Sequence, residues 1–191
     1  PLPAPGPAEV RIRVHAAGVN RADLLQTSAH YQLPPGFTEV LGLECAGIVD
    51  AVGTGVDQSL VGRPVGALLD GGGYAEFAIA PVTQIRILPD DADLAISAGR
   101  PEALCTAWYN LVQLGGLQRG ERVLIHGGSG GVGHIAVQLA SMLGATVLTT
   151  VGSEAKAARI RELGAHEAIR YDGDVPTAVA DITGGKGVDI I

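Results

Sequence analysis

Three glycines, Gly128, Gly130 and Gly133, stand in the spacing G-x-G-x-x-G within VLIHGGSGGVG, residues 123–133. Such a spacing serves to hold phosphate. The first glycine allows a tight turn out of a strand. The second lets backbone approach a pyrophosphate with no side chain in the way, and the third lets the next helix pack closely on its sheet. The free N–H groups and positive dipole end of that helix then face the anion. Ser129, Gly131 and Val132 fill the remaining positions of the candidate dinucleotide cradle. In a chain with 28 glycines the same spacing also arises at ordinary strand–turn–helix corners, so its meaning rests on what flanks it.

The flanks fit. Residues 123–126 read as a short buried strand. Val132, Ile135, Ala136, Leu139, Ala140 and Leu143 follow a helical period, and Gly144 stops it. Strict alternation continues: strand 146–151, helix 154–163 stopped by Gly164, strand 167–170, helix 175–183 and strand 188–191. That order predicts right-handed βαβ units on a parallel sheet. A doubly wound dinucleotide fold carries about six strands. The expectation is therefore a truncated part of a larger protein, lacking at least two strands. Upstream, residues 92–98 and 102–114 read as helices, the second with Leu104, Trp108, Leu111 and Val112 on one face and Trp108 in the core. Before Pro89 the texture is different. Residues 9–15 alternate as a half-buried strand, Asn20 opens a short helix over 21–28, and 33–36 form a loop. Residues 40–52 read as a bent or bulged strand pair interrupted by Gly42 and Gly47. Further strands follow at 65–69, 74–80 and 84–88. This is the pattern of a small barrel-like β domain. The division falls into residues 1–90 and 91–191.

The 191 residues carry a formal charge of −7 and no basic run, which argues against a nucleic-acid surface and against binding to anionic membranes. No apolar stretch is long enough to span a bilayer. Cys45 and Cys105 sit in apolar sequence without C-x-x-C pairing and read as two buried thiols of a cytoplasmic protein.

The whole run of motifs is similar to a known family. AAGVNRADLLQ (16–26), LGLECAGIV (41–49), GGGYAEF (71–77), PEALCTAWYNL (101–111), VLIHGGSGGVG and GSEAK (152–156) resemble the medium-chain dehydrogenase/reductases. Within them the chain looks like the zinc-free quinone oxidoreductase (zeta-crystallin-like) branch, and the loop HYQLPPG at 30–36 strengthens that likeness. The resemblance implies an α/β fold: an N-terminal GroES-like β domain plus a Rossmann doubly wound parallel sheet, here incomplete, with the active site in the cleft between them. It also implies NADPH-dependent reduction of quinones or conjugated enones, and a homodimer in the complete protein.

Zinc members of the superfamily place a cysteine where this chain has Asn20 and a histidine where it has Leu43. Neither is a usual zinc ligand, and two cysteines cannot build a four-cysteine lobe. The expectation is no metal. That favours quinone or enone reduction, because the charge left by hydride spreads over a conjugated system, whereas alcohol–carbonyl chemistry gains more from a Lewis acid.

For the cofactor, an acidic residue about 20 positions past the glycines would hold a ribose 2′-hydroxyl. Here Gly152 and Ser153 stand at that point, with Glu154 one step late. Ser153 also reads as a helix N-cap with Glu154 in the first turn. The family reading gives Ser153 and Lys156 a 2′-phosphate, with Tyr171 near the adenosine, and so favours NADPH. On the substrate side, Asn20 reads as an N-cap with Asp23 at N3. By resemblance both lie beside the nicotinamide, and Thr106 lies on the helix beneath it. Tyr31, in its loop, is the candidate for substrate hydrogen bonding or protonation. His126 and His134 read as packing or surface residues. Two alternatives stay open: an enoyl-thioester reductase of polyketide type, and a non-catalytic NADPH-binding module.

Overall fold

A computed structural model describes Leu2, residues 4–27 and residues 38–191. The chain forms two compact units, Pro1–Glu102 and Ala103–Ile191.

In the first unit, β1 (Glu9–Ala17), β2 (Glu44–Val52), β3 (Pro64–Leu68), β4 (Phe77–Pro81) and β5 (Ile85–Ile87) make one antiparallel sheet in the order β4-β1-β2-β3-β5. Alternation in β1 does what the sequence pattern requires. Val10 and Ile12 are fully buried, while Arg11 turns outward to pair with Asp50 on β2 at 2.5 Å. Cys45, Val49, Val65, Ala67, Leu69, Ala78 and Ala80 complete the core. The irregularity expected near Gly47 is present as a slip in the β1–β2 register between Val14 and Ala16, where Gly47 faces Val14. α1 (Arg21–Gln26) follows β1, and α2 (Leu94–Ala98) is capped by Asp93, whose carboxylate accepts from the Ala95 and Ile96 N–H groups.

α3 (Pro101–Trp108) begins in the first unit and continues into the second, where it passes into one turn of π-helix at Tyr109–Leu114. There β6 (Arg122–Ile125), α4 (Gly131–Met142), β7 (Thr146–Val151), α5 (Glu154–Glu162), β8 (Glu167–Arg170) and α6 (Val175–Thr183) alternate. The strands are parallel in the order β6-β7-β8. Period-two alternation gives each face its own core. Val123, Val147 and Val151 pack with Ala136, Val137 and Ala140 of α4 and with Ala157 and Ile160 of α5. Leu124, Leu148 and Ile169 point the other way, with Val179 of α6. A sheet covered on both faces explains why its strands are near-continuously apolar.

Several sequence expectations need correction. The strand expected at 188–191 amounts to a single parallel bridge from Ile190 to Val123. The buried face of α4 is centred on the small residues Gly133, Ala136, Val137 and Ala140, which let the helix lie close on the sheet, while Val132 is exposed. Trp108 is not in the core of the described chain: 43% of it is exposed, because α3 buries Ala103 and Ala107 instead. Cys45 is buried as expected, but Cys105 lies on the exposed side of α3. The helix 102–114 is two helical forms in succession, and the strand expected at 74–80 starts at Phe77. Tyr31 and the 33–36 loop lie outside the described residues.

Candidate active site

The glycine turn leaves the carboxyl end of β6 and enters α4. Two consecutive threonines of β7, buried on opposite faces of the sheet, fasten it. The Thr149 hydroxyl donates to the Ile125 carbonyl at 2.6 Å. Thr150 accepts from the Gly127 N–H at 2.9 Å through its hydroxyl, and from the Gly128 N–H at 3.0 Å through its carbonyl. A Cβ at Gly128 would lie 2.9 Å from the Thr149 Cβ, and one at Gly133 would lie 2.8 Å from the Gly128 Cα. Both sites are closed to any side chain, as the first and third glycines of the motif require. Gly131 is different: a Cβ there would meet nothing within 4 Å. Gly130 is the N-cap of α4, and among the described residues no side chain caps the helix. The twelve-residue helix therefore presents the N–H groups of its first turn and its positive end to open space beside Ser129, Gly131 and Val132. An anion of pyrophosphate type fits this cradle.

The turn also lies where strand order reverses. β7 flanks β6 on one side and the later Ile190 bridges it on the other, and the carboxyl ends at such a reversal are where open α/β sheets take ligands. A cavity of about 600 Å³ adjoins it, lined by Thr106, Asn110, His126, Val132 and aliphatic side chains. Thr106 is thus brought to the α4 end of the turn, and its carbonyl accepts from the Asn110 amide at 2.8 Å. His126 stays near Thr150 at 3.3 Å, and half-buried His134 contacts the Gly130 carbonyl.

Gly152, Ser153, Lys156 and Tyr171 gather at the carboxyl ends of β7 and β8. Ser153 is the N-cap of α5 and accepts from the Lys156 N–H at 3.4 Å. The Tyr171 ring, 63% exposed, lies over Gly152, whose Cβ would fall 3.0 Å from the phenol Cζ. Glu154 faces Arg161 at 3.4 Å, and Arg170 pairs with Asp172.

In the first unit, Asn20 and Asp23 belong to a hydrogen-bonded cluster. Asn20 is the N-cap of α1, and its backbone N–H donates to Asp23 Oδ2 at 2.7 Å. The Tyr74 hydroxyl donates to the same oxygen at 2.7 Å, and Asp23 Oδ1 is buried without a partner among the described residues. The Asn20 side-chain amide donates to Glu44 Oε1 at 2.7 Å, while Glu44 Oε2 accepts the Glu102 N–H at 3.0 Å. Glu44 is 2% exposed. Burial raises its pKa above the usual value, against the hydrogen bonds from Glu102 and Asn20. Burial, followed by the neighbouring Asp23 carboxylate, pushes the Tyr74 phenol up to about 12. Among the described residues no three His, Cys, Asp or Glu side chains come together as a metal site. Sequence reasoning missed Thr149 and Thr150, although two hydroxyls in the middle of an otherwise apolar strand were visible. It assigned no role to Glu44, whose charge inside an apolar run was the signal.

Comparison with known proteins fits both units. Residues 6–90 match the family model described as alcohol dehydrogenase GroES-like domain, and residues 131–191 match zinc-binding dehydrogenase. The chain belongs to the medium-chain dehydrogenase/reductases. It is 40% identical over 194 residues to 2-haloacrylate reductase of a Burkholderia species, covering 98% of this chain and 58% of that protein. It is 38% identical over 187 residues to highly-reducing polyketide synthase 1 of Aureobasidium melanogenum, covering 96% of this chain and 8% of that protein. Among solved structures it is similar to Escherichia coli quinone oxidoreductase complexed with NADPH, with a TM-score of 0.83 and 33% identity over 98% of this chain and 58% of that one. The chain thus spans under two thirds of the length of these relatives. Among the described residues of this medium-chain dehydrogenase/reductase, no helix is long and apolar enough to cross a membrane.

Proposed function

We propose that this chain carries the cofactor turn and the substrate-side cluster of an NADPH-dependent reductase that acts on quinones or conjugated enones without zinc. The observation that carries the reading is the uncapped N-terminus of α4, open above Gly131 and closed to side chains at Gly128 and Gly133. When bound, the nicotinamide supplies a hydride, and one proton from solvent completes the two-electron reduction. The chain's own part is to bind and orient. The turn around Ser129, Gly130 and Gly131 holds the diphosphate, and Ser153 and Lys156 meet the 2′-phosphate with Tyr171 beside the adenosine. Thr106 lines the apolar cavity that receives the nicotinamide end. Asn20 and Asp23 bound the substrate side, and Tyr31 donates to the substrate oxygen.

Side-chain chemistry supports a reaction without zinc. The amide of Asn20 is already engaged with Glu44, and Leu43 offers no donor. The relatives' names support the substrate class: one is a quinone oxidoreductase, and another a reductase of a halogenated acrylate, a conjugated carbonyl compound. The 38% identity to a polyketide synthase supports a second reading, an enoyl-thioester reductase on the same fold.

The test is oxidation of NADPH and of NADH by the full-length protein, with a para-quinone, a simple enone and an enoyl thioester. Turnover with quinone or enone that prefers NADPH and is unaffected by chelator is the expected result. Turnover with the thioester alone moves the assignment to the second reading. NADPH binding with no turnover on any of the three leaves a binding module and refutes the enzyme.

A further inference from the structure

Glu44 is a charged residue, almost fully buried, that the proposed chemistry does not use. Its surroundings are built for it. A Cβ on Gly18 would lie 2.7 Å from the Glu44 Cγ, so the end of β1 passes the carboxylate with no room for a side chain. Its two oxygens accept from two separate elements: the Asn20 amide on Oε1, and the N–H of Glu102 in the first turn of α3 on Oε2. The charges that act on it are Glu102 and Asp23, both acidic, so among the described residues no cation compensates the burial. Such a group costs stability unless its hydrogen bonds serve a purpose.

We infer that Glu44 is a positioning residue, which locks the Asn20 side chain with its NH2 turned to the carboxylate and so fixes the start of α1 on the substrate side. The inference rests on the reading of Asn20 as a substrate-side residue. A carboxylate can only accept, so the amide has one orientation open to it. Asp23 holds the same residue through the capping box, its carboxylate accepting the Asn20 backbone N–H and its own N–H facing the Asn20 side-chain oxygen, while Glu44 fixes the NH2 end. An amide held at both ends keeps the substrate-side residue in one geometry, and loosening it costs turnover through misplacement more than it costs ground-state binding.

Glu44→Gln has nearly the same shape but can donate as well as accept, so both amides can flip together. In the full-length protein we expect kcat to fall about ten- to a hundredfold with KM for the quinone and Kd for NADPH little changed. In an Asn20→Ala background the same substitution should cost nothing further. A residue needed only for folding would lower both backgrounds alike, and that result would overturn the proposal. Gly18→Ala crowds Glu44 directly and should reproduce the kcat loss, which guards against a Glu44→Gln protein that does not fold. A second readout needs no turnover. The side-chain amide signal of Asn20 in 15N-labelled protein, assigned by its loss in Asn20→Ala, should exchange slowly in the wild type and faster in Glu44→Gln. If the signal is the same in both, Glu44 does not position Asn20. If the wild type reduces no quinone or enone, the functional reading fails while the amide signal still decides the role of Glu44.

Discussion

Alanine at two neighbouring glycines should separate packing from ligand binding. At Gly133 a methyl group would lie 2.8 Å from the Gly128 Cα and 2.9 Å from the Gly127 carbonyl carbon, both main-chain atoms of the turn. Non-bonded carbons prefer about 3.5 Å or more, and the Gly127 carbonyl oxygen lies nearer still, so the turn must retreat by at least roughly 0.7 Å, which the bonds from Gly127 and Gly128 to Thr150 resist. Overpacking of this kind costs about 1–3 kcal/mol. For a chain of this size that is a fall in Tm of ~3–9 °C. At Gly131 the methyl meets nothing within 4 Å, and helical alanine in place of glycine should leave Tm unchanged or raise it by ~1–3 °C. The two variants should then agree in one respect only: both lose affinity for NADPH. Gly133→Ala loses it because its amides have moved, and Gly131→Ala because its methyl occupies the approach to the α4 N-terminus. Differential scanning calorimetry and isothermal titration on the same samples give both quantities. Wild-type NADPH affinity in Gly131→Ala would refute the assignment of the turn to pyrophosphate. An unchanged Tm in Gly133→Ala would refute the packing argument beneath it.

Other perturbations follow from the same contacts. Thr150→Val keeps the shape of the strand but leaves the Gly127 N–H without its acceptor, so denaturant unfolding should show a loss of about 1–3 kcal/mol, and a loss under 0.5 kcal/mol would remove Thr150 from the account. Tyr74→Phe takes one of two donors from a buried carboxylate oxygen; a destabilisation of about 1.5–3 kcal/mol is expected, together with loss of the phenol that ionises near pH 12 in an ultraviolet titration. Lys156→Ala should erase a preference for NADPH over NADH in titrations while leaving NADH affinity alone; an unchanged ratio would place the 2′-phosphate elsewhere. Burial raises the Glu44 pKa, so the folded chain holds that proton more tightly than the unfolded one. The resulting stabilisation is complete below the ordinary value of 4.5 and is lost as pH rises through the folded value. Wild-type stability relative to Glu44→Gln should therefore decline between about pH 4.5 and neutrality, and a relative gain over that range would reverse the assigned sign.

What the sequence revealed followed the length scale of the physics. β7, β8 and α6 were legible to the residue because each is set by a local period and a local stop. Within Thr146–Val151 every residue after Thr146 is buried, and Asp174 and Gly184 bracket α6 as N-cap and left-handed C-cap. The turn at Gly128–Gly133 was legible because close approach permits only one residue type. What failed depended on partners far away along the chain. Trp108 has the spacing of a core residue, yet the small side chains of Ala103 and Ala107 are the ones that face inward. The apolar stretch 188–191 has strand composition, but a ladder needs a neighbour over several residues, and only Ile190 finds one. Glu44 drew no positioning role from the sequence, because its partners, Asn20 and Glu102, lie 24 and 58 residues away, beyond the reach of any pattern rule.

The cluster around Asn20 and Asp23 shows why the helix-cap reading and the site reading need not exclude each other. The Asp23 carboxylate caps the start of α1 through one oxygen, which also takes the Tyr74 hydroxyl, and its other oxygen stays buried with no partner among the described residues. A cap alone would let that carboxylate lie at the surface, as Asp93 and Asp174 do at α2 and α6. Burying it beside a second carboxylate, Glu44, adds desolvation and like-charge repulsion that helix capping does not need. The same side chains can therefore fix the backbone and hold polar atoms in place for a ligand, and the stability given up is greatest where Asp23 and Glu44 meet across Asn20.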